Sequence, residues 1–320
     1  MPLQKSDYNS PVYFFNGHIE TIYPYLFRKI PALEFVRERL LLPDGDFLDL
    51  DWLRQEGKRL LILCHGLEGS SASQYMQGMA TAALNAKWDV LALNFRSCSG
   101  EMNQKLRMYH HGEIEDLTFV LNTIVANGPY RQISLCGFSL GGNVILKYLG
   151  TQGGDVPLPV RSAVAISVPC DLESSSRALD RWDNYLYTRR FMRSLKSKFI
   201  YKSKQFPNAI DMTGFDAVKT WEQFDNTFTP MVTGFKNAAE YYAQGSAKNF
   251  IPGIRTNVLL LNALNDPFLK AASFPIELCK NHSYVHLETP KHGGHVGFWY
   301  PSLAQSYAEK RALQFINQQI

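Results

Sequence analysis

Short apolar runs rich in Val, Ile and Leu, separated by segments of helical length, constrain this chain more than any other feature. Leu33–Leu41, Phe47–Leu53, Leu60–Cys64, Val90–Asn94, Ile133–Cys136, Ala163–Ser167, Val258–Asn262 and Tyr284–Glu288 read as strands. Ala72–Ala86, Gly112–Asn127 and Leu140–Gly150 read as helices between them. Continuous rather than alternating apolar character means strands covered on both faces. The pattern therefore predicts an α/β fold, an eight-stranded, mostly parallel sheet between layers of helices. The first two strands adjoin directly, and Pro43-Asp44-Gly45-Asp46 between them signals an antiparallel hairpin.

The alternation breaks between Cys170 and Pro252. This stretch is rich in aromatic and basic residues, among them Trp182, Tyr187, Phe191, Phe199, Trp221 and Phe228, and holds no good strand. It is far longer than an ordinary loop. Residues 171–250 are expected to fold as a helical cap inserted into a core formed by residues 1–170 and 251–320. Most of the aromatics should form the insertion's own core, with a minority facing a pocket beneath it.

With 45% hydrophobic and 19% charged residues over 320 positions, a large core is attainable and global disorder is excluded. The net charge of +4 is spread along the chain. Its one dense basic run, Lys196, Lys198, Lys202 and Lys204, is interleaved with apolar residues and reads as a solvated or interfacial helix face, not a nucleic-acid patch. Cys64, Cys98, Cys136, Cys170 and Cys279 are scattered without a C-x-x-C, which points to free thiols in a reducing compartment. Met1–Tyr8 has no apolar signal core, and no window reaches the length of a membrane span. A soluble, cytoplasmic chain is expected.

Gly137-Phe138-Ser139-Leu140-Gly141 lies where the Ile133–Cys136 strand passes into a helix. A G-x-S-x-G on a strand-to-helix turn is the nucleophile elbow of a serine hydrolase, with the hydroxyl lifted above the sheet. Such a serine needs a base, an orienting acid and oxyanion donors, the acid and base following it in the chain. For the acid, Asp266 is favoured, just beyond the Val258–Asn262 strand and before Pro267. Asp171 is the rival, better suited to capping the first cap helix. For the base, His295 in Lys291-His292-Gly293-Gly294-His295 is favoured over His292. A His292/His295 metal pair lacks a third ligand nearby, so neither a metal nor a cofactor is expected. The oxyanion hole should combine the backbone N–H of Leu140 with that of Leu67, in the glycine-bearing loop His65-Gly66-Leu67-Glu68-Gly69 after the third strand. His65 reads as a hydrogen-bonded anchor of that loop.

The chain resembles the YheT-like branch of the α/β-hydrolase superfamily, relatives of monoacylglycerol lipases and medium-chain ethanol acyltransferases. The marks are Asn16-Gly17-His18-Ile19-Glu20-Thr21-Ile22, His65-Gly66-Leu67-Glu68-Gly69-Ser70-Ser71, Asn94-Phe95-Arg96-Ser97-Cys98-Ser99-Gly100-Glu101, Tyr109-His110-His111-Gly112-Glu113, the elbow through Asn143, and His292-Gly293-Gly294-His295. The resemblance implies an α/β-hydrolase fold and a triad of Ser139, Asp266 and His295 acting on acyl esters. Two positions depart from the family pattern: Ser97 stands where relatives commonly carry glycine, and Asn265 where a second aspartate is common. No catalytic role follows for Arg96–Glu101, Tyr109–Glu113 or His18, which read as bracing. The expected activity is ester hydrolysis through an acyl-enzyme on a small-molecule substrate. The alternatives are transfer of the acyl group to an alcohol, or a non-catalytic binding protein on the same fold.

Overall fold

The structure is a computed structural model describing residues 2–300 and 304–319. Its strands are β1 (Leu3–Gln4), β2 (Val36–Leu41), β3 (Phe47–Leu53), β4 (Arg59–Cys64), β5 (Asp89–Asn94), β6 (Gln132–Phe138), β7 (Val160–Ile166), β8 (Asn257–Leu261) and β9 (Val285–Glu288). They form one sheet in the order β1-β9-β8-β7-β6-β4-β5-β3-β2. The β2–β3 and β3–β5 pairs are antiparallel and the others parallel. Eight of these strands correspond to the apolar runs of the sequence. The ninth, β1, pairs only Leu3 and Gln4 with Leu287 and Glu288, which is too short to carry a periodicity.

Alternate residues of each central strand feed two separate cores, because successive side chains point to opposite faces. Leu60, Ile62, Leu91 and Leu93 pack with Leu117, Leu121, Val144 and Ile145 from α3 (Glu115–Asn127) and α4 (Leu140–Gln152). Leu61, Leu63, Val90 and Ala92 pack with Met76, Met79, Ala312 and Ile316 from α2 (Gln74–Asn85) and α11 (Tyr307–Asn317). Burial on both faces is the reason these strands read as unbroken apolar runs.

Between Ile166 and Asn257 the described chain contains no strand. Its longer helices are α5 (Leu172–Leu179), α6 (Tyr185–Gln205), α7 (Trp221–Thr227), the short α8 (Thr229–Thr233), and α9 (Ala238–Gly245). Phe199, Phe215, Trp221, Phe224 and Phe228 form a third core, joined by Met108 from below. The basic run lies on α6 and faces inward in part. Lys202 is fully buried, and its Nζ donates to the carbonyls of Asn103, at 2.6 Å, and Lys105. Burial pulls this ammonium down to about 8. A helix α1 (Gly17–Phe27), ahead of β2, and a short α10 (Ile276–Cys279), ahead of β9, complete the longer elements. No helix among the described residues is long and apolar enough to cross a membrane.

β4 lies between β5 and β6, so the chain winds toward one edge after β4 and toward the other after β6. The carboxyl ends of β4 and β6 thus open on a crevice, where α/β sheets place their ligands. The loop after β4 carries Gly66 and Leu67, and the turn after β6 carries Ser139.

Candidate active site

Ser139 is the single residue between β6 and α4, and it adopts φ 52 and ψ −116. A non-glycine residue held there is strained. The crossing is as tight as the backbone permits. A Cβ on Gly137 would stand 2.5 Å from the Gly141 backbone, and one on Gly141 would stand 2.3 Å from the Cys64 carbonyl oxygen. The Ser139 amide donates to Ile166 O at 2.8 Å, pinning the turn to β7. Buried Asn143, one turn into α4, donates through Nδ2 to His111 O and Gly245 O and accepts from the Ala247 amide. The elbow helix is thereby tied both to the Tyr109–Glu113 loop and to the chain returning from α9.

Beside the elbow, the amides of the β4 loop are mostly committed. Gly66 donates to Tyr75 Oη at 3.0 Å, Glu68 to Tyr109 Oη at 2.8 Å, and Gly69 to Gly66 O at 3.0 Å. Among the described residues no acceptor meets the Leu67 amide or that of Leu140 at the start of α4. Both residues line the same cavity as Ser139. A Cβ on Gly66 would lie 3.2 Å from Ser139 Cβ, so this loop runs hard against the elbow. His65 is fully buried, with Nε2 accepting from the Phe95 amide and Nδ1 directed at Gly66 O, which assigns the proton to Nδ1. Burial draws its pKa down to about 4, and both ring nitrogens are spent on backbone.

His295 Nδ1 stands 2.8 Å from Asp266 Oδ2. Asp266 is buried in the turn after β8, its other oxygen accepting from the Phe268 amide at 2.9 Å. The Phe268 ring packs against the imidazole at 4.3 Å between centroids. Asp171 lies elsewhere. It N-caps α5, accepting from the Ser174 amide at 2.7 Å, and pairs with Lys248. His292, half exposed, faces Glu20 Oε1 at 3.3 Å rather than the pocket. Among the described residues no group of three or more His, Cys, Asp or Glu could hold a metal ion.

The histidine loop is held by α1. Asn16 caps that helix, accepting from the Ile19 amide. Glu20, almost fully buried, accepts from the Gly293 amide and from Asn265 Nδ2, each at 2.6 Å. Asn265 Oδ1 accepts from the Gly294 amide, and Thr21 Oγ1 accepts from the His295 amide at 2.8 Å. Sequence reasoning did not find Glu20, Thr21 or Asn265 as positioning residues. At the departure from the family pattern, the Asn265 amide thus bridges Glu20 and the Gly294 amide. Ser97, the other departure, sits at φ 64, the left-handed region that glycine favours, and its hydroxyl donates to Asn103 Oδ1 at 2.5 Å. Arg96 is buried among Asp44, Asp46 and Asp116, and so braces the loop from beneath.

Ser139, His295, Leu67 and Leu140 open on one cavity of about 1010 Å³. Its walls are largely apolar, with Phe191, Leu195, Trp221 and Phe224 from the helices over the sheet. Asp225 also lines it, accepting from Thr229 Oγ1 and Tyr242 Oη, and burial pushes its carboxyl up to about 6. Glu68 locks the β4 loop to α6 through Lys198 Nζ at 2.8 Å and through Ser194.

The model of the alpha/beta hydrolase fold family matches residues 59–301. The chain is similar to the provisionally designated esterase YheT of Escherichia coli (strain K12), at 34% identity over 89% of this chain and 85% of that protein. It is 29% identical to the monoacylglycerol lipase of Saccharomyces cerevisiae over 80% of this chain and 58% of that one. Human phospholipase ABHD3 is 25% identical over 93% of this chain and 75% of its own. Among solved structures, the Pyrococcus furiosus esterase Pf2001 superposes with a TM-score of 0.59 at 18% identity, covering 89% of this chain and 91% of that one. At that identity the likeness is one of fold.

Proposed function

This chain belongs to the alpha/beta hydrolase family, and on that footing we propose that it is a serine carboxylic-ester hydrolase working through an acyl-enzyme. The observation that carries the reading is Ser139, in a strained elbow, sharing one cavity with His295 whose imidazole is oriented by buried Asp266. In this reading Ser139 Oγ attacks the ester carbonyl while His295 Nε2 takes its proton. Asp266 keeps the Nδ1 proton in place and stabilises the imidazolium. The Leu67 and Leu140 amides, left without internal acceptors, bind the oxyanion of the tetrahedral intermediate. His295 returns the proton to the departing alcohol and then activates water to release the acid. Residues 171–250 act as a cap whose aromatic walls accept an apolar acyl chain.

Turnover of p-nitrophenyl esters of graded chain length tests this. Ser139→Ala should lose at least about a thousandfold in kcat and fail to react with a fluorophosphonate probe that labels the native chain. A Ser139→Ala protein that keeps native rates would remove the serine from the chemistry.

A further inference from the structure

The cavity mouth is rimmed by large apolar side chains that solvent reaches freely. Ile22, Tyr25 and Leu26 of α1 and Leu186 of α6 line the cavity, yet Leu26 is 60% and Leu186 70% exposed. The apolar surface continues outward from the rim. Phe15 before α1 is 75% exposed, Phe27 at its end 58%, and Trp182 ahead of α6 86%. Exposed apolar clusters on this scale mark interaction surfaces, whereas single exposed apolar residues need no explanation.

Side chains of the two segments meet. His18 stacks on Tyr187 and stands 4.0 Å from Asp183, and further along both helices the Arg190 guanidinium sits over the Tyr25 ring. Phe15 and Trp182 therefore belong to the same end of one surface. Beside the apolar residues are Arg189, Arg190 and Arg193, all exposed and none in an ion pair among the described residues. Arg181 is neutralised by Asp183. Aromatic and aliphatic side chains next to the unpaired guanidinium groups of Arg189 and Arg193 suit the interface of an anionic bilayer, where rings lie at headgroup depth and arginines meet phosphates.

We propose that α1 and the start of α6 dock this chain on an anionic phospholipid bilayer, with the cavity mouth opening onto the lipid. Docking at that point lets an acyl chain pass from the bilayer into the cavity without crossing water. What is delivered rests on the ester-hydrolase reading, whereas docking itself does not depend on catalysis.

Sedimentation with vesicles of phosphatidylcholine, with and without phosphatidylglycerol, tests the surface on both native and Ser139→Ala protein. Binding should be at least about tenfold tighter to the anionic vesicles and should weaken as salt is raised. Phe27→Ser with Trp182→Ser should reduce it about tenfold, and Arg189→Glu with Arg193→Glu should abolish the preference for anionic lipid. None of these four side chains lines the cavity. Circular dichroism and turnover of a soluble short-chain ester verify that each variant is folded. The proposal is overturned if the native chain sediments with neither vesicle, or if both variant pairs bind as the native chain does. It is equally overturned if the Phe27/Trp182 pair dissolves a dimer seen by light scattering in a chain that ignores vesicles, since the face would then belong to a second copy.

Discussion

Asn265 Nδ2 donates to Glu20 Oε2 at 2.6 Å, tying the residue beside Asp266 to the helix whose Thr21 holds the His295 amide. One contact thus couples the Asp266 turn to the His295 loop. Glu20 is 1% exposed, and the donors that replace water at its Oε2 are Asn265 Nδ2 and the Gly293 amide. Asn265→Asp would substitute an acceptor for the donor and place two carboxylates in one buried site. The variant should lose about 2–4 kcal/mol of stability and most of its ester turnover, and Asn265→Ser should lose less. Urea unfolding of the three proteins measures the difference.

The strain at Ser139 is separable from the chemistry proposed for it. Replacement by Ala or Gly removes the hydroxyl alike, but only Ala keeps a Cβ at φ 52. Strain of about 1–3 kcal/mol outweighs the roughly 0.5–1 kcal/mol entropic cost of glycine. Ser139→Gly should therefore be the more stable of two inactive proteins, by about 1 kcal/mol. Thermal unfolding in which the alanine variant is equal or more stable contradicts this.

Glu68 and Lys198 form a largely buried pair between the β4 loop and α6. Lys198→Met leaves Glu68 without its cation and should destabilise by about 3 kcal/mol, whereas Glu68→Gln combined with Lys198→Met should cost much less. Hydrogen exchange in α6 should rise sharply in the single variant and only slightly in the double. Equal effects would show that the pair does not hold these segments together.

Burial holds His65 down to about 4, and His110 and His111 down to about 3, from the ordinary 6.5. Between those values and 6.5 the unfolded chain binds protons that the folded chain refuses. Stability is therefore full above pH 6.5 and falls as the solution is acidified, with a slope approaching 1.4 kcal/mol per pH unit for each histidine. Asp44, Asp46, Asp49 and Asp51 are held below 3.8 by their partners, so their contribution is lost only at lower pH. Urea midpoints that stay flat from about pH 7 to pH 5 would contradict burial of these imidazoles.

The parallel sheet was legible because burial on both faces leaves unbroken apolar runs such as Leu60–Cys64, and the elbow because Gly137 and Gly141 mark a crossing too close for a Cβ. The strand β1 left no trace, since two paired residues impose no periodicity. The inward turn of Lys202 was equally hidden. A lysine on a helix reads as solvated until the carbonyls of Asn103 and Lys105, contributed by a distant loop, supply its acceptors.

What the sequence determined by itself was local: where strands stop and helices start, and which residue types stand at strand ends in the order serine, aspartate, histidine. Periodicity and turn chemistry act over a few residues, so they survive in one dimension. Only the tertiary structure decided which groups hold those residues in place. Glu20 and the Gly293 amide are 273 positions apart, and nothing local to either demands the other. Their pairing exists because desolvating a carboxylate is tolerable only where folding brings donors to it.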